Sequence, residues 1–539
     1  MIPGNWNIYQ KKPKQEVAQS TTVVAPIRGL NTLDNLRSMS PDYAISCTNF
    51  IATPQGLTAR QGYTKLVTGI SGYVQSLMAY RGVTSSQNKI FAAAGTKFYD
   101  ATTATSTPTV VQSGLTNALW QYTNFSNLAN HYLVCCNGVD TARLYNGSSW
   151  INFSLVSTPA ADGQIATGAG MTSVTNWRQV VTHQQRVWIV QEGSTQAFYL
   201  PIGQVAGTPA GFDFGPVFPR GGTLASLASW AVDLGVGITS YLVAVSTAGD
   251  VAIYSGTNPA TASTWAWQGT WQLGAPCGKR CLGAFGSDLL YLCEDGLMPL
   301  SKYLNSTRVD NSAQLSFVIQ PTISALVSTY STLPGFEFVN YPGNNILLLN
   351  VPQIDADQNF QLCYQTQTAG WSQFTGWGAQ CWAELAGTLY FGGNGFVGKA
   401  FTGYADGAAS DGTGGNTYVA SAQQAFNYFD IPGKRKRFIR ARPNIITSVN
   451  QPQISIGCNV DYNLTPPVAS ATLVGASGAV WDAGYWDQVE WASGLNNFNR
   501  WQGVRGVGYC ASLTMTISVA AFTEWVATDW VFEEGGTLG

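Results

Sequence analysis

Between residues 512 and 519 the chain alternates: Leu513, Met515, Ile517 and Val519 share one face, and Ser512, Thr514, Thr516 and Ser518 the other. A period of two is that of a strand with one buried face. The uncharged stretch 506–523 therefore reads as a strand and not as a membrane-spanning helix. Ile454, Ile456, Cys458 and Val460 alternate in the same way. Helical periodicity is scarce, and residues 34–48 and 417–426 are the best short candidates for helices.

A loose repeat runs through the middle of the chain: an apolar strand, a turn with Gly, Asn or Asp, and a second strand, commonly with an aromatic residue. Its copies are built around Ile90 and Phe98, Leu133 and Tyr145, Trp188 and Phe198, Leu242 and Tyr254, Leu290 and Leu297, Leu347 and Tyr364, and Tyr390 and Phe396. The spacing of about 40–55 residues is in the range of propeller blades. A single blade leaves its faces uncovered, and radial packing against its neighbours covers them. The expected fold is all-β: a propeller of six to eight blades over residues 65–402. A sandwich-like platform domain would be built from residues 21–64 and 426–539, after a flexible arm, 1–20. Gly403, Gly407, Gly412, Gly414 and Gly415 mark 403–425 as a linker.

Composition narrows the function classes. Charged residues are 10% of the chain and aromatics 12%, with 58 glycines. That excludes a disordered chain and a long helical one. Net charge is −2, from 27 basic and 29 acidic residues, which argues against a chain-wide nucleic-acid coat and suits an assembly component. The polar start, Met1–Gln10, followed by Lys11, Lys12 and Lys14 without an apolar run, reads as no secretion leader. The ten cysteines are scattered and read as small reduced core residues. With only His131 and His183 available, a zinc site would lean on Cys, and neither a metal nor a cofactor is expected.

No nucleophile motif, Gly-rich phosphate loop or carboxylate pair at a telling spacing is present, so an enzyme is not expected. Two clusters of tryptophan, Trp371, Trp377 and Trp382, and Trp481, Trp486 and Trp491, are open to two readings, core packing or a sugar-stacking platform. The one dense charge run is Lys434, Arg435, Lys436, Arg437, Arg440 and Arg442. It can bind phosphate, meet an acidic neighbouring subunit or adaptor, or be a solvated strand face. We take it as the candidate subunit or adaptor interface.

Two segments resemble a family. The first runs Pro26, Arg28, Gly29, Asn31, Met39, Pro41, Ala44, Asn49, Phe50, Pro54, Gly56, Leu57, Arg60, Gly62, Tyr63. The second has Trp481-Asp482, Trp486-Asp487, Trp491, Arg500-Trp501, Gly503, Gly506, Gly508, the alternating strand and Trp525, and ends in Phe532-Glu533-Glu534-Gly535-Gly536; Asp461-Tyr462 and Gly370-Trp371-Ser372 fit the same picture. In this order they look like the tail nozzle, or tail-hub, proteins of short-tailed bacteriophages, including those called packaged-DNA stabilisation proteins. The resemblance implies a non-enzymatic virion protein, synthesised in the host bacterial cytoplasm. It would form a hexameric ring below the portal and adaptor, support fibres or spikes, and retain genomic double-stranded DNA until ejection. The alternative is a carbohydrate- or receptor-binding propeller of the tail.

Overall fold

The computed structural model describes residues 18–233, 238–304, 314–448, 452–465 and 495–535. Nearly all regular structure is strand; the helices of more than one turn are Leu300–Leu304 and Gln320–Tyr330.

The repeat seen in sequence is the central hairpin of each blade. In the first, Lys89–Ala94 pairs with Lys97–Asp100, flanked by Val74–Tyr80 inside and Val110–Ser113 outside. The second to fourth blades have the same plan, starting from the inner strands Gln121–Ser126, Trp177–His183 and Leu224–Asp233. A three-stranded sheet follows, Leu282–Phe285, Asp288–Cys293 and Gly296–Pro299. The next blade runs from Glu337–Tyr341 to Gly370–Phe374, and the last from Cys381–Leu385 to Val397–Ala400. The chain closes this last blade with an N-terminal strand, Tyr63–Val67, which pairs with Val397–Ala400. Among the described residues, six four-stranded blades and one three-stranded sheet thus form a β-propeller.

The second strands explain why these sequences demand blades. Lys89–Ala94, His131–Cys136, Arg186–Gln191 and Asp288–Cys293 are each buried at every position after the first, and Ile346–Val351 is buried throughout. A strand apolar on both faces needs a sheet above and below. Neighbouring blades are that cover, and polar side chains stitch them. Asn124 Nδ2 donates to Ala79 O at 2.8 Å, Thr182 and Thr123 hydroxyls meet at 3.1 Å, and Ser226 Oγ donates to Gln179 Oε1 at 3.1 Å. At the closure Cys381 Sγ reaches Val74 O at 3.3 Å.

The platform is a pair of sheets. Thr523–Glu534 and Lys436–Thr447 form the centre of one. Gln19–Val24 and Leu57–Ala59 join the first of these strands, and Asn496–Phe498 and Gln502–Gly508 join the second. The other contains Ala44–Thr48, Tyr418–Gln424, Ala511–Val519 and Gln453–Val460. Ile454, Ile456, Met515 and Ile517 belong to one buried core with Phe438, Trp525, Trp530 and Phe532.

Several expectations change. Residues 417–426 and the end of 34–48 are strands and not helices, because the small residues Ala420 and Ala422 are buried at a period of two against the sandwich core. Residues 403–425 are more than a linker: Asp406–Ala408 lies beside Tyr63 and Thr64, and Tyr418–Gln424 is a full strand. Gln19 and Ser20 belong to a strand and not to an arm, and Tyr63 and Thr64 to the last blade. The Trp481, Trp486 and Trp491 cluster lies outside the described residues.

Candidate functional site

Two groups of cations have to be compared. The first is the dense run. From Lys436 onward it lies in the strand Lys436–Thr447, paired on one side with Thr523–Glu534 and on the other with Gln502–Gly508. Lys436 is buried, a correction to its reading as an interface residue. Alternation turns its side chain inward, where Nζ donates to Ile431 O at 2.5 Å, Tyr509 O at 2.9 Å and Lys434 O at 3.2 Å. Desolvation lowers its pKa from the ordinary lysine value.

Lys434 is paired with Glu534 at 2.6 Å and Arg442 with Asp529 at 2.7 Å, while Arg437 stands 3.8 Å from Glu533. Arg442 also lies over the Trp501 ring, 4.8 Å from its centroid. Burial by itself would raise the Asp529 pKa. Hydrogen bonds from Thr22, Arg442 and Asn444 outweigh that and hold it below the usual carboxylate range. Arg435 and Arg440 are exposed, and among the described residues neither has an ion-pair partner. The run therefore offers Arg435, Arg440 and the loosely held Arg437 to a partner.

The second group was not visible as a group in sequence. Residues at or just before the start of the inner strands ring one mouth of the propeller axis: Gln75, Gln121, Arg178, Ala225, Arg280, Glu337 and Gln380. They line a cavity of about 410 Å³, partly roofed by residues 331–336, which follow the helix Gln320–Tyr330. Arg280 Nη2 donates to Ser76 Oγ at 3.0 Å and Trp120 O at 2.8 Å, and Nη1 pairs with Glu337. Glu337 in turn accepts from the Trp382 backbone N–H at 3.0 Å. This one ion pair contacts five of the seven sheets. Burial alone would lower the Arg280 pKa, but Glu337 outweighs it and raises the value. Arg178 Nη1 pairs with Glu192 at 2.5 Å, and Lys279 Nζ stands 3.6 Å from the same carboxylate. Three cations thus share two carboxylates. The signal in sequence was Lys279-Arg280 in the turn between Cys277 and Cys281, and only ring closure brings Arg178 to it.

One further cation joins the domains. Arg60 is fully buried, bonded to Asp406 through Nη1 at 2.8 Å and Nη2 at 2.6 Å, to Asn49 Oδ1 at 2.9 Å and to Thr375 O at 2.8 Å. Its guanidinium lies 4.0 Å from the Tyr418 ring centroid and 4.9 Å from that of Trp377. Thr48 pairs with Gln373 in parallel, so the platform sheet continues directly into a blade. Gly29 fits this junction through a positive φ of 67°; a Cβ there would meet Trp371 O at 2.3 Å.

Of the other candidates, Trp371, Trp377 and Trp382 are buried and form core, which leaves no sugar platform there. His183 is buried, with Nδ1 2.9 Å from Ser229 Oγ, and desolvation pushes its pKa down to about 4. His131 Nδ1 lies 3.1 Å from Arg81 O. All ten cysteines are free, and burial pushes the Cys277 thiol up to about 12 and that of Cys281 to about 11. Among the described residues no three His, Cys, Asp or Glu side chains gather as a metal site. No described helix is long and apolar enough to cross a membrane.

No known protein family matches the chain, and no curated protein matches it. Solved structures do. The extracellular domain of the one component system BT4673 from B. thetaiotaomicron matches 64% of this chain and 41% of its own, at 10% identity and TM-score 0.27. YCF48 bound to D1 peptide matches over 68% and 99%, at 10% identity and TM-score 0.27. Chaetomium thermophilum Raptor matches over 67% and 29%, at 9% identity and TM-score 0.34. The chain thus spans less than half the length of the first and third of these.

Proposed function

We propose that this chain is a structural protein of a podovirus tail: a non-enzymatic subunit of a hexameric nozzle ring that continues the DNA channel below portal and adaptor. It acts mechanically, retaining packaged DNA, carrying fibres or spikes, and opening for ejection. The motif order at the two chain ends suggests this reading, and one structural observation supports it best. Residues of the N-terminal motif meet at the junction of platform and propeller: Arg60 holds Asn49 and Asp406, and Gly29 abuts Trp371. A sheet shared across that junction and a buried ion pair resist bending between the two domains. A part that passes force from a ring contact to a gate needs such stiffness. The exposed Arg435, Arg437 and Arg440 supply the subunit or adaptor contact.

The test is mass photometry of the purified chain with and without the portal–adaptor complex. A ring of six copies capping the adaptor is expected, and Arg435→Glu with Arg437→Glu should prevent it. A persistent monomer that ignores the adaptor would overturn the reading. If the charge reversal left assembly intact and only DNA retention failed, the arginines would face the bore instead.

A further inference from the structure

We propose that the axial mouth of the propeller is a binding site for an acidic sugar, one bearing a single carboxylate. This stands apart from the nozzle reading, since it concerns one subunit. The cavity of about 410 Å³ is in the ~300–1,000 Å³ range of small-molecule sites. Its charge is the first guide. Arg178 and Arg280 are committed to Glu192 and Glu337, while Lys279 only shares Glu192, at 3.6 Å, and otherwise donates to Asn137 O at 3.4 Å. The surplus is one ammonium, a third exposed. One surplus positive charge balances a carboxylate, which carries a single negative charge at neutral pH. A phosphate monoester carries nearer two and would be left partly uncompensated.

The remaining lining selects the body of the ligand. Gln75 and Gln121, side by side on the first two blades, have amides that bond to no other described residue, and each can both donate and accept. Such groups suit hydroxyls in a row. Leu119, Pro276 and Leu333 add apolar surface to the lining, against which the C–H face of a pyranose can lie. Phe336, the one aromatic residue of this lining, is itself buried in the core, so the sandwich that a nucleobase favours is lacking.

The experiment is ligand-observed NMR and calorimetry on the purified full chain. The probes are glucuronic acid and N-acetylneuraminic acid, their neutral counterparts glucose and N-acetylglucosamine, inorganic phosphate, and triglycine for a peptide carboxylate. The acidic sugars should bind with Kd of about 1 mM, as a small ligand's atom count allows. The neutral sugars should bind about tenfold more weakly, the worth of one charge-assisted hydrogen bond. Lys279→Gln should erase that preference, and Gln75→Ala should weaken both kinds of sugar alike. Arg435→Glu should change neither. Equal binding of acidic and neutral sugars would overturn the proposal. So would tighter binding of phosphate or triglycine, or no acidic-sugar binding by a chain with a normal thermal transition. None of these outcomes depends on whether the chain forms a ring.

Discussion

The platform strand and the propeller mouth each hold a cluster of cations, and they differ in how those cations are used. In the run that leads into the strand, six cations lie within nine residues, yet one is buried under three carbonyls and two are held in close ion pairs. At the mouth, cations from two places about a hundred residues apart in sequence converge on a cavity, with one in excess over its carboxylates. Charge density along a sequence is therefore a poor guide to available charge. What counts is which face of the strand each residue occupies and which acids the neighbouring strands bring.

The sharpest way to break this contrast is Arg280→Met. It strands Glu337 at the meeting point of five sheets and should cost about 3–5 kcal/mol, seen as a lower urea midpoint for the propeller transition. Adding Glu337→Leu should return much of that loss, because the stranded charge goes with it. A midpoint unchanged by Arg280→Met would mean that the mouth is as well solvated as the strand's outer face.

The two regions should also separate by pH. His183 in the propeller is neutral, with a folded pKa of about 4 against ~6.5 when unfolded. Between those values the unfolded chain binds more protons, so stability present above pH ~6.5 falls by about 3 kcal/mol on going down to pH ~4. Chemical denaturation as a function of pH should show this slope, and His183→Gln should flatten it. Asp529 in the platform works lower: its depressed pKa contributes stability above the unfolded value of ~3.9, lost as pH falls through the folded one.

Within the basic run the effects should be unequal. Lys436→Met leaves the carbonyls of Ile431, Lys434 and Tyr509 without their donor and should cost about 1–3 kcal/mol by thermal or urea unfolding. Arg435→Ala and Arg440→Ala should each change the stability of the isolated chain by less than about 0.5 kcal/mol. A large loss from either would mean that the exposed arginines hold the fold.

Much of the architecture was legible because β-structure writes its burial into local patterns. The seven hairpins appeared as apolar runs separated by turn residues, and 512–519 as a one-faced strand, since each pattern reflects a strand's own two faces. The pattern misled at 417–426, where alanines and glutamines carry little strand signal and burial between two sheets decides. It also misled at 403–425, where the glycines hid a strand and the acid of the Arg60 pair.

What the sequence determined by itself was the class of structure and the places of its hairpins, because side-chain alternation is a property of neighbouring residues. Tertiary structure alone decided how many sheets close the ring, which N-terminal strand completes the last blade, which cations of the run stay free, and that Arg178 meets Lys279 at one mouth. These are long-range pairings. They depend on which distant strand wins each edge, and no local stretch of sequence carries that information.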